Sequence, residues 1–303
     1  MEAKNPARPE EHGIEEPRMD LCNLNDIKAL LARHGFRFSK SMGQNFLIEA
    51  WVPQDIAQAS GAEPGVGVVE VGPGIGPLTR QLALRADKVV SIELDRSLLP
   101  ILAETLADHP NAEIYPGDVL KVDLAALAEE KLPGLRRVAC ANLPYNITTP
   151  AITALIEAGC FESITVMIQR EVARRICAAP GTGDYGAFSV FCQYHTQPEL
   201  LFDVGPECFI PAPKVTSSVL RMVPKAPPAE VDDPEHFFLV VRAAFAQRRK
   251  TLVNSLAGSL GGRYDKGQIA AAIAACGLNA DVRGERLSIP QFAALSKALR
   301  AGI

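Results

Sequence analysis

The stretch Val68-Val-Glu-Val-Gly-Pro-Gly-Ile-Gly76, followed at once by Pro77-Leu-Thr79, decides the fold. A β-branched run that breaks into glycines and then into a proline-opened helical pattern reads as strand, tight turn and helix. Glycines at 72, 74 and 76 let the backbone approach a ligand closely and take dihedrals closed to other residues. The dinucleotide fingerprint GxGxxG fails: counted from Gly72 its third glycine falls on Pro77, and counted from Gly74 it falls on Thr79. The lysine of a phosphate-binding P-loop is absent from the turn as well.

Outward from this turn, short apolar runs at 66–71, 88–93, 112–115, 137–141, 164–168, 200–204 and 217–223 read as strands. Helical patterns at 78–84, 98–106 and 151–158 separate the early ones, which predicts an α/β fold with a mostly parallel sheet covered on both faces. The late strands lack long intervening helices, so an antiparallel hairpin is expected at one sheet edge. Residues 224–234 (PKAPPAEVDDP) read as a linker, and beyond it Phe237, Val241, Ala244, Phe245, Leu252 and Leu256 recur at helical spacing. Ser288-Ile-Pro-Gln291 has the form of a capped helix start with a capping-box Gln. The chain thus divides into an acidic, flexible tail (1–20), a sheet domain (21–223), the linker (224–234) and a helical domain (235–303).

Of the 303 residues, 48% are hydrophobic and 22% charged, a globular balance with no apolar run long enough to span a bilayer. The seven cysteines are scattered and form no CxxC pair, which argues against zinc sites and a disulfide framework and fits a reducing cytoplasm. The five histidines have no metal-ligand spacing and read as surface or satisfied side chains; Trp51 reads as packing for the helix after residue 47. The net charge of −4 is unevenly spread: from Glu235 onward ten basic residues face four acidic ones, leaving 21 against 31 in the rest. A basic carboxy-terminal module beside an acidic larger one is compatible with a polyanion lying along one face, and equally with a solvated basic helix.

Glu93 ends the second strand, 21 positions after Gly72, where a carboxylate can accept both hydroxyls of a ribose. Asp118 follows the third, where a carboxylate can accept from an adenine amino group. A ligand with ribose and adenine but no phosphate suits a glycine turn flanked by two acids, and S-adenosylmethionine is such a ligand. The fourth strand ends in Asn142-Leu-Pro-Tyr145. Adenine N6 is a poor nucleophile because its lone pair is delocalised into the ring. The Asn142 side-chain oxygen and the Leu143 carbonyl form an acceptor pair that polarises its N–H bonds, Pro144 stiffens the turn, and Tyr145 offers a face on which a flipped base stacks. Transfer from a sulfonium needs no covalent intermediate and no metal, so catalysis reduces to alignment and electrostatic support.

With these residues in place the chain resembles the small-subunit ribosomal RNA adenine dimethyltransferase family. The motifs that carry the resemblance are Gly43-Gln-Asn-Phe-Leu47, Glu70-Val-Gly-Pro-Gly74, Ile92-Glu-Leu-Asp95, Gly117-Asp118, Asn142-Leu-Pro-Tyr145, Phe209-Ile-Pro-Ala-Pro-Lys-Val215 and Phe245-Ala-Gln-Arg-Arg-Lys250. The resemblance runs from about Gly43 to about Ser288. It implies a Rossmann-like class I methyltransferase sheet with a small all-helical carboxy-terminal domain. It also implies dimethylation of N6 of two adjacent adenosines in a hairpin near the 3′ end of small-subunit (16S) RNA, coupled to small-subunit biogenesis. Asn45 and Leu47 would contact the methionine end of the cofactor, Gly72, Glu93 and Asp118 its nucleoside, and Asn142 would lie between cofactor and target amine. Phe209 would wall the base slot opposite Tyr145, or else serve as a core aromatic. Lys40, Arg248, Arg249 and Lys250 would contact RNA, unless one of the last three braces the domain junction. The partner would be a pre-ribosomal particle and the enzyme a cytoplasmic monomer.

The chain departs from the family pattern in carrying Phe188 where leucine is usual, and residues 38–42 are less basic than in many relatives. Two other functions share these features: a large-subunit adenine methyltransferase conferring antibiotic resistance, and an assembly-checkpoint factor in which binding outweighs methylation.

Overall fold

The computed structural model describes residues 19–38 and 43–302. Among these the chain runs α1 (Leu24–Arg33), β1 (Phe46–Leu47), α2 (Trp51–Ala59), β2 (Val66–Val71), α3 (Pro77–Ala83), β3 (Lys88–Glu93), α4 (Leu99–Thr105), β4 (Ala112–Pro116), α5 (Leu124–Lys131) and β5 (Arg136–Asn142). It continues through α6 (Thr148–Glu157), β6 (Ser163–Gln169), α7 (Arg170–Cys177), α8 (Ala187–His195), β7 (Thr196–Val204), β8 (Phe209–Ile210) and β9 (Ser217–Pro224). Four helices close the chain: α9 (Pro234–Phe245), α10 (Leu252–Leu260), α11 (Lys266–Ala275) and α12 (Ile289–Ala301). No helix among the described residues is long and apolar enough to cross a membrane.

Seven strands form one sheet in the order β4-β3-β2-β5-β6-β9-β7. The first five are parallel and β9 runs antiparallel to both β6 and β7, which is the expected edge hairpin. Every residue of β2 is buried, as both faces of a central parallel strand must be. Alternation sends Val69 and Val71 to one face, against Leu124 and Leu127 of α5 and Ile152 and Leu155 of α6. Val66 and Val68 go to the other, against Val52 and Ile56 of α2 and Leu78 and Leu82 of α3. The strand order reverses direction between β2 and β5, and at such a switch point the strand ends splay to leave a hollow. A two-stranded antiparallel pair, β1 with β8, lies outside this sheet and carries Phe46 opposite Ile210 and Leu47 opposite Phe209.

Helices α9 to α12 build a second core around Phe237, Val241, Leu256, Ile273 and Phe292, but they share it with Tyr185, Val190 and Tyr194 in and just before α8. The stretch read as a linker loses its two ends to regular structure, Pro224 closing β9 and Pro234 opening α9. The single helical pattern across residues 237–256 is in fact two helices. Ser255 Oγ donates to the Ala243 carbonyl (2.7 Å) and accepts from the Gln247 amide (3.2 Å), the very pair that a continuing helix would bond to each other. Residues 248–250 therefore sit in a turn between α9 and α10. Trp51, expected to pack its helix, is 40% exposed at the first position of α2, tilted against Phe202 at 6.0 Å. His236 is a satisfied core histidine, bonded to Ser296 Oγ (2.7 Å) and Tyr264 Oη (2.8 Å).

Within the second core, Gly284 packs directly against α9. A β-carbon there would lie 2.8 Å from the Ala244 carbonyl oxygen and 3.0 Å from the Ala244 side chain. Backbone cannot yield as a flexible side chain can, so Gly284→Ala is expected to cost about 1–3 kcal/mol of stability. Urea denaturation read against the parent protein checks this value.

Candidate active site

The hollow beyond the carboxyl ends of β2, β3 and β5 gathers Asn45, Leu47, Gly72, Glu93, Asp118, Asn142, Leu143, Pro144 and Tyr145 into one lining, from segments nearly 100 residues apart in sequence. Strand register explains the meeting. Val71 stands beside Ile92 on one side and Ala141 on the other, while Glu93 stands beside Pro116. The residues one step beyond each strand thus face a common space.

The floor is the glycine turn. Gly72, Gly74 and Gly76 have φ of 69°, 61° and 96°, and the turn is fixed by the Gly72 amide donating to the Ile92 carbonyl (3.0 Å) and the Gly76 amide to the Pro73 carbonyl (2.9 Å). A β-carbon on Gly74 would stand 3.4 Å from the Phe46 ring, inside the space the hollow keeps open. Pro77 at the first turn of α3 then carries the chain away with its φ already set.

Glu93 is only 7% exposed, yet it lines the hollow. Burial pushes its carboxyl up to about 7, against the opposing pull of the Asp95, Gly74 and Leu94 amides that donate toward it. The Asp95 amide reaches Oε1 at 2.7 Å. Asp118 uses one oxygen to accept from the Leu120 amide at 3.0 Å, which orients the carboxylate, and Lys121 stands 3.6 Å from the other. On the far wall the Asn142 Nδ2 points at the Asn45 carbonyl at 3.5 Å, the long limit of such a bond, leaving Oδ1 as a free acceptor. The Leu143 amide donates to the Met167 carbonyl (3.1 Å), so the residue carrying the second acceptor is pinned to β6. The Tyr145 hydroxyl is bonded to Ser217 Oγ at 2.7 Å.

Not every expected residue joins this set. Phe209 is 3% exposed and packs in the core with Leu47, Val52 and Val204, so it takes the core-aromatic alternative and does not line the hollow. The pairing of β8 with β1 sets Phe209 opposite Leu47, and both pack in the core cluster formed with α2 and α3. Arg248 is a brace. Its guanidinium donates to the Gly183 carbonyl (2.5 Å) and the Tyr185 carbonyl (3.2 Å) and lies 3.8 Å from Glu285. Arg249 and Lys250 are exposed. Lys40 lies outside the described residues.

The sequence reading missed three contributors. Leu94 is 55% exposed on the hollow's rim, an apolar surface that a planar ring can cover, and its signal was its place directly after the acid in Ile92-Glu-Leu-Asp95. Gln44 donates to Asp95 Oδ2 at 2.7 Å, tying the segment before β1 to the loop after β3. Glu70 is fully buried beneath the turn, with Oε2 accepting from Thr79 Oγ1 (2.7 Å) and Ser91 Oγ (2.5 Å). Burial pushes its carboxyl up to about 7 despite those two bonds.

Known proteins resemble this chain over most of its length. The family model described as ribosomal RNA adenine dimethylase matches residues 35–300. A ribosomal RNA small subunit methyltransferase A from Geobacillus kaustophilus is 48% identical over 284 residues, covering 92% of this chain and 97% of its own. The protein of the same name from Streptococcus sanguinis is 45% identical over 287 residues, covering 93% and 99%. Among solved structures, the 23S rRNA methyltransferase ErmE is 28% identical with a TM-score of 0.62, covering 84% of this chain and 99% of its own. A dimethyladenosine transferase from Plasmodium falciparum superposes with a TM-score of 0.69 at 23% identity, covering 82% and 95%. The sheet is therefore a Rossmann-like class I methyltransferase sheet followed by a helical region, and the chain belongs to the ribosomal RNA adenine dimethylase family.

Proposed function

We propose that this hollow binds S-adenosylmethionine and dimethylates N6 of two adjacent adenosines in a hairpin near the 3′ end of small-subunit ribosomal RNA. The observation that carries the reading is the convergence of Gly72, Glu93, Asp118 and Asn142 on one lining. The residues present fit the cofactor. The left-handed glycine turn keeps clear a space that a side chain would fill, a buried carboxylate supplies acceptors for two ribose hydroxyls, and Leu94 with Asp118 offers an apolar face and an acceptor for adenine. Asn45 and Leu47 would hold the methionine end. When bound, the cofactor supplies a methyl group on a sulfonium, an electrophile that asks the protein for alignment more than for covalent help.

Asn142 Oδ1 and the Leu143 carbonyl accept the two N–H bonds of the target amine, which turns its lone pair toward the methyl donor. Pro144 keeps the peptide in place and Tyr145 stacks on the extruded ring. The proton lost from the product nitrogen leaves to water, so a neutral asparagine suffices. Arg249 and Lys250, exposed on the turn between α9 and α10, contact the RNA backbone, positioning the substrate without reading its sequence. The small-subunit reading is favoured over the large-subunit one by relatives named for the small subunit at 45–48% identity, against 28% for the 23S enzyme. On this reading the protein works as a cytoplasmic monomer on a pre-ribosomal particle, with residues 21–223 the catalytic domain and 235–303 the RNA-binding one. Mass spectrometry of small-subunit RNA after incubation with labelled cofactor tests the assignment; label confined to large-subunit RNA, or absent, would overturn it.

Asn142→Ala is expected to leave cofactor affinity within a few fold while lowering transfer by at least about a hundredfold, since it removes one fixed acceptor from the reacting amine. Isothermal calorimetry and single-turnover kinetics separate the two effects.

Cofactor affinity is expected to depend on pH through Glu93. Its carboxyl is held up near 7, and only the ionised form accepts two ribose hydroxyls, so affinity is full above that value and lost as pH falls through it. The expected loss between pH 8 and pH 6 is about tenfold. Calorimetry at the two values checks it, with Glu93→Gln expected to bind weakly and with no such slope.

The three basic residues of the turn are expected to separate. Arg249→Ala with Lys250→Ala should weaken RNA binding and reduce the slope of log affinity against log salt by about 1.4–1.8. Arg248→Ala should chiefly lower thermal stability, because it strips two main-chain carbonyls of their donor. Fluorescence anisotropy in a salt series, beside thermal melts, distinguishes these roles.

A further inference from the structure

We infer that Ser217 is a positioning residue for the methyl transfer, acting through Tyr145 to set the plane on which the target adenine stacks. The inference rests on the reading of Tyr145 as the stacking face given above.

Tyr145 is partly buried and lines the hollow just past β5, so one face of its ring is open to a ligand. A phenol ring in such a place can rotate about two side-chain bonds unless its far end is held. The hold is a single hydrogen bond, 2.7 Å from the Tyr145 hydroxyl to Ser217 Oγ, across 72 residues of sequence. Ser217 is itself unable to move. It is fully buried at the first position of β9, paired in register with Gln169 of β6 and with Val204 of β7. The Thr216 carbonyl before it accepts from the Arg170 amide at 3.0 Å. The other end of Tyr145 is equally constrained. Its carbonyl and that of Pro144 accept from Thr148 Oγ1 at 3.2 and 3.4 Å, and the Pro144 carbonyl accepts from the Ile147 amide at 3.2 Å. Main chain and hydroxyl together fix the ring as a shelf whose tilt is set by the antiparallel end of the sheet.

The hydroxyl takes no chemical part in this scheme, since stacking needs only the ring. Its worth lies in orientation. Leu143 is held to β6 and does not follow the ring, so a small change in the tilt of the shelf carries the amine off the line of transfer. The second methyl addition is the more demanding of the two. Monomethylated N6 presents one N–H instead of two, and its methyl group must find room beside the same shelf. Loss of the Ser217 bond is therefore expected to slow the second transfer more than the first.

The test uses the full-length protein with small-subunit RNA. Ser217→Ala is expected to lower turnover about tenfold, the factor that corresponds to the upper range of one net hydrogen bond. It should also raise the ratio of monomethyl to dimethyl product and leave cofactor affinity by calorimetry unchanged. Tyr145→Phe removes the same bond from the other side and should match it within about twofold, with the double variant no worse than either single one. Multiplying losses in the double variant, or a wild-type product ratio in Ser217→Ala, would overturn the inference. So would a loss of cofactor binding in parallel with activity, since that marks a merely structural role. Failure of the parent protein to dimethylate RNA would instead overturn the functional reading on which it rests.

Discussion

Beneath the glycine turn, one carboxyl oxygen of Glu70 accepts from Thr79 on α3 and from Ser91 on β3. This three-way bond joins the strand that enters the turn, the neighbouring strand and the helix that leaves it. It sits in a fully buried place where a carboxyl is costly to ionise, and its second oxygen finds no hydrogen-bond partner among the described residues. The fold tolerates that cost at the one point where the path of the chain must be fixed most closely. If the turn shifted, Gly74 would move against Phe46, and the Gly74 amide would leave the Glu93 carboxyl. The floor of the hollow and its acidic wall depend on the same buried oxygen.

The opposite wall is tied by different means. Asn142 reaches the Asn45 carbonyl only at the long limit of a hydrogen bond, while Leu143 is held firmly to β6. The acceptor pair thus has one rigid member and one that can tighten when a ligand arrives, as catalytic hydrogen bonds often do. Gln44 adds a link from the same amino-terminal segment to Asp95, so Gly43–Leu47 spans the hollow from the end of β5 to the loop after β3. A segment with so few regular bonds of its own holds its place through the groups it bridges.

The sheet was legible because its strands are buried on both faces and announce themselves as β-branched runs, 66–71 and 88–93 being read at the very bounds β2 and β3 take. The site was legible where each residue ends a strand, since the carboxyl ends of parallel strands must converge at a switch point whatever the side chains. Legibility stopped where the outcome depends on a partner distant in sequence. Phe209 reads first as a wall of the base slot, with a core aromatic as the alternative, until its packing with Leu47, Val52 and Val204 is known. Arg248, Arg249 and Lys250 are alike in sequence, and only the approach of the Gly183–Tyr185 carbonyls sets the first apart. The break in the helix at 246–251 turns on one serine hydroxyl eight residues past Gln247. Glu70 carried no signal beyond its motif, because nothing in the sequence tells a buried acid from a ligand-facing one.

Arg248 also bears on how the two cores act together. Tyr185, Val190 and Tyr194 contribute to the core of the terminal helices, while Cys192 in the same helix α8 packs with the sheet. Helix α8 is therefore shared property, and the brace from Arg248 to the loop before it fastens the turn that bears Arg249 and Lys250 to that shared element. A cationic turn held this way cannot drift relative to the sheet without breaking buried contacts on both sides of α8. On the proposed function, RNA held by the turn would be presented to the hollow at a set distance. Such a constraint would do what base-specific contacts do elsewhere: on that reading, only a substrate whose backbone fits the turn and whose adenine reaches the ring of Tyr145 satisfies both ends at once.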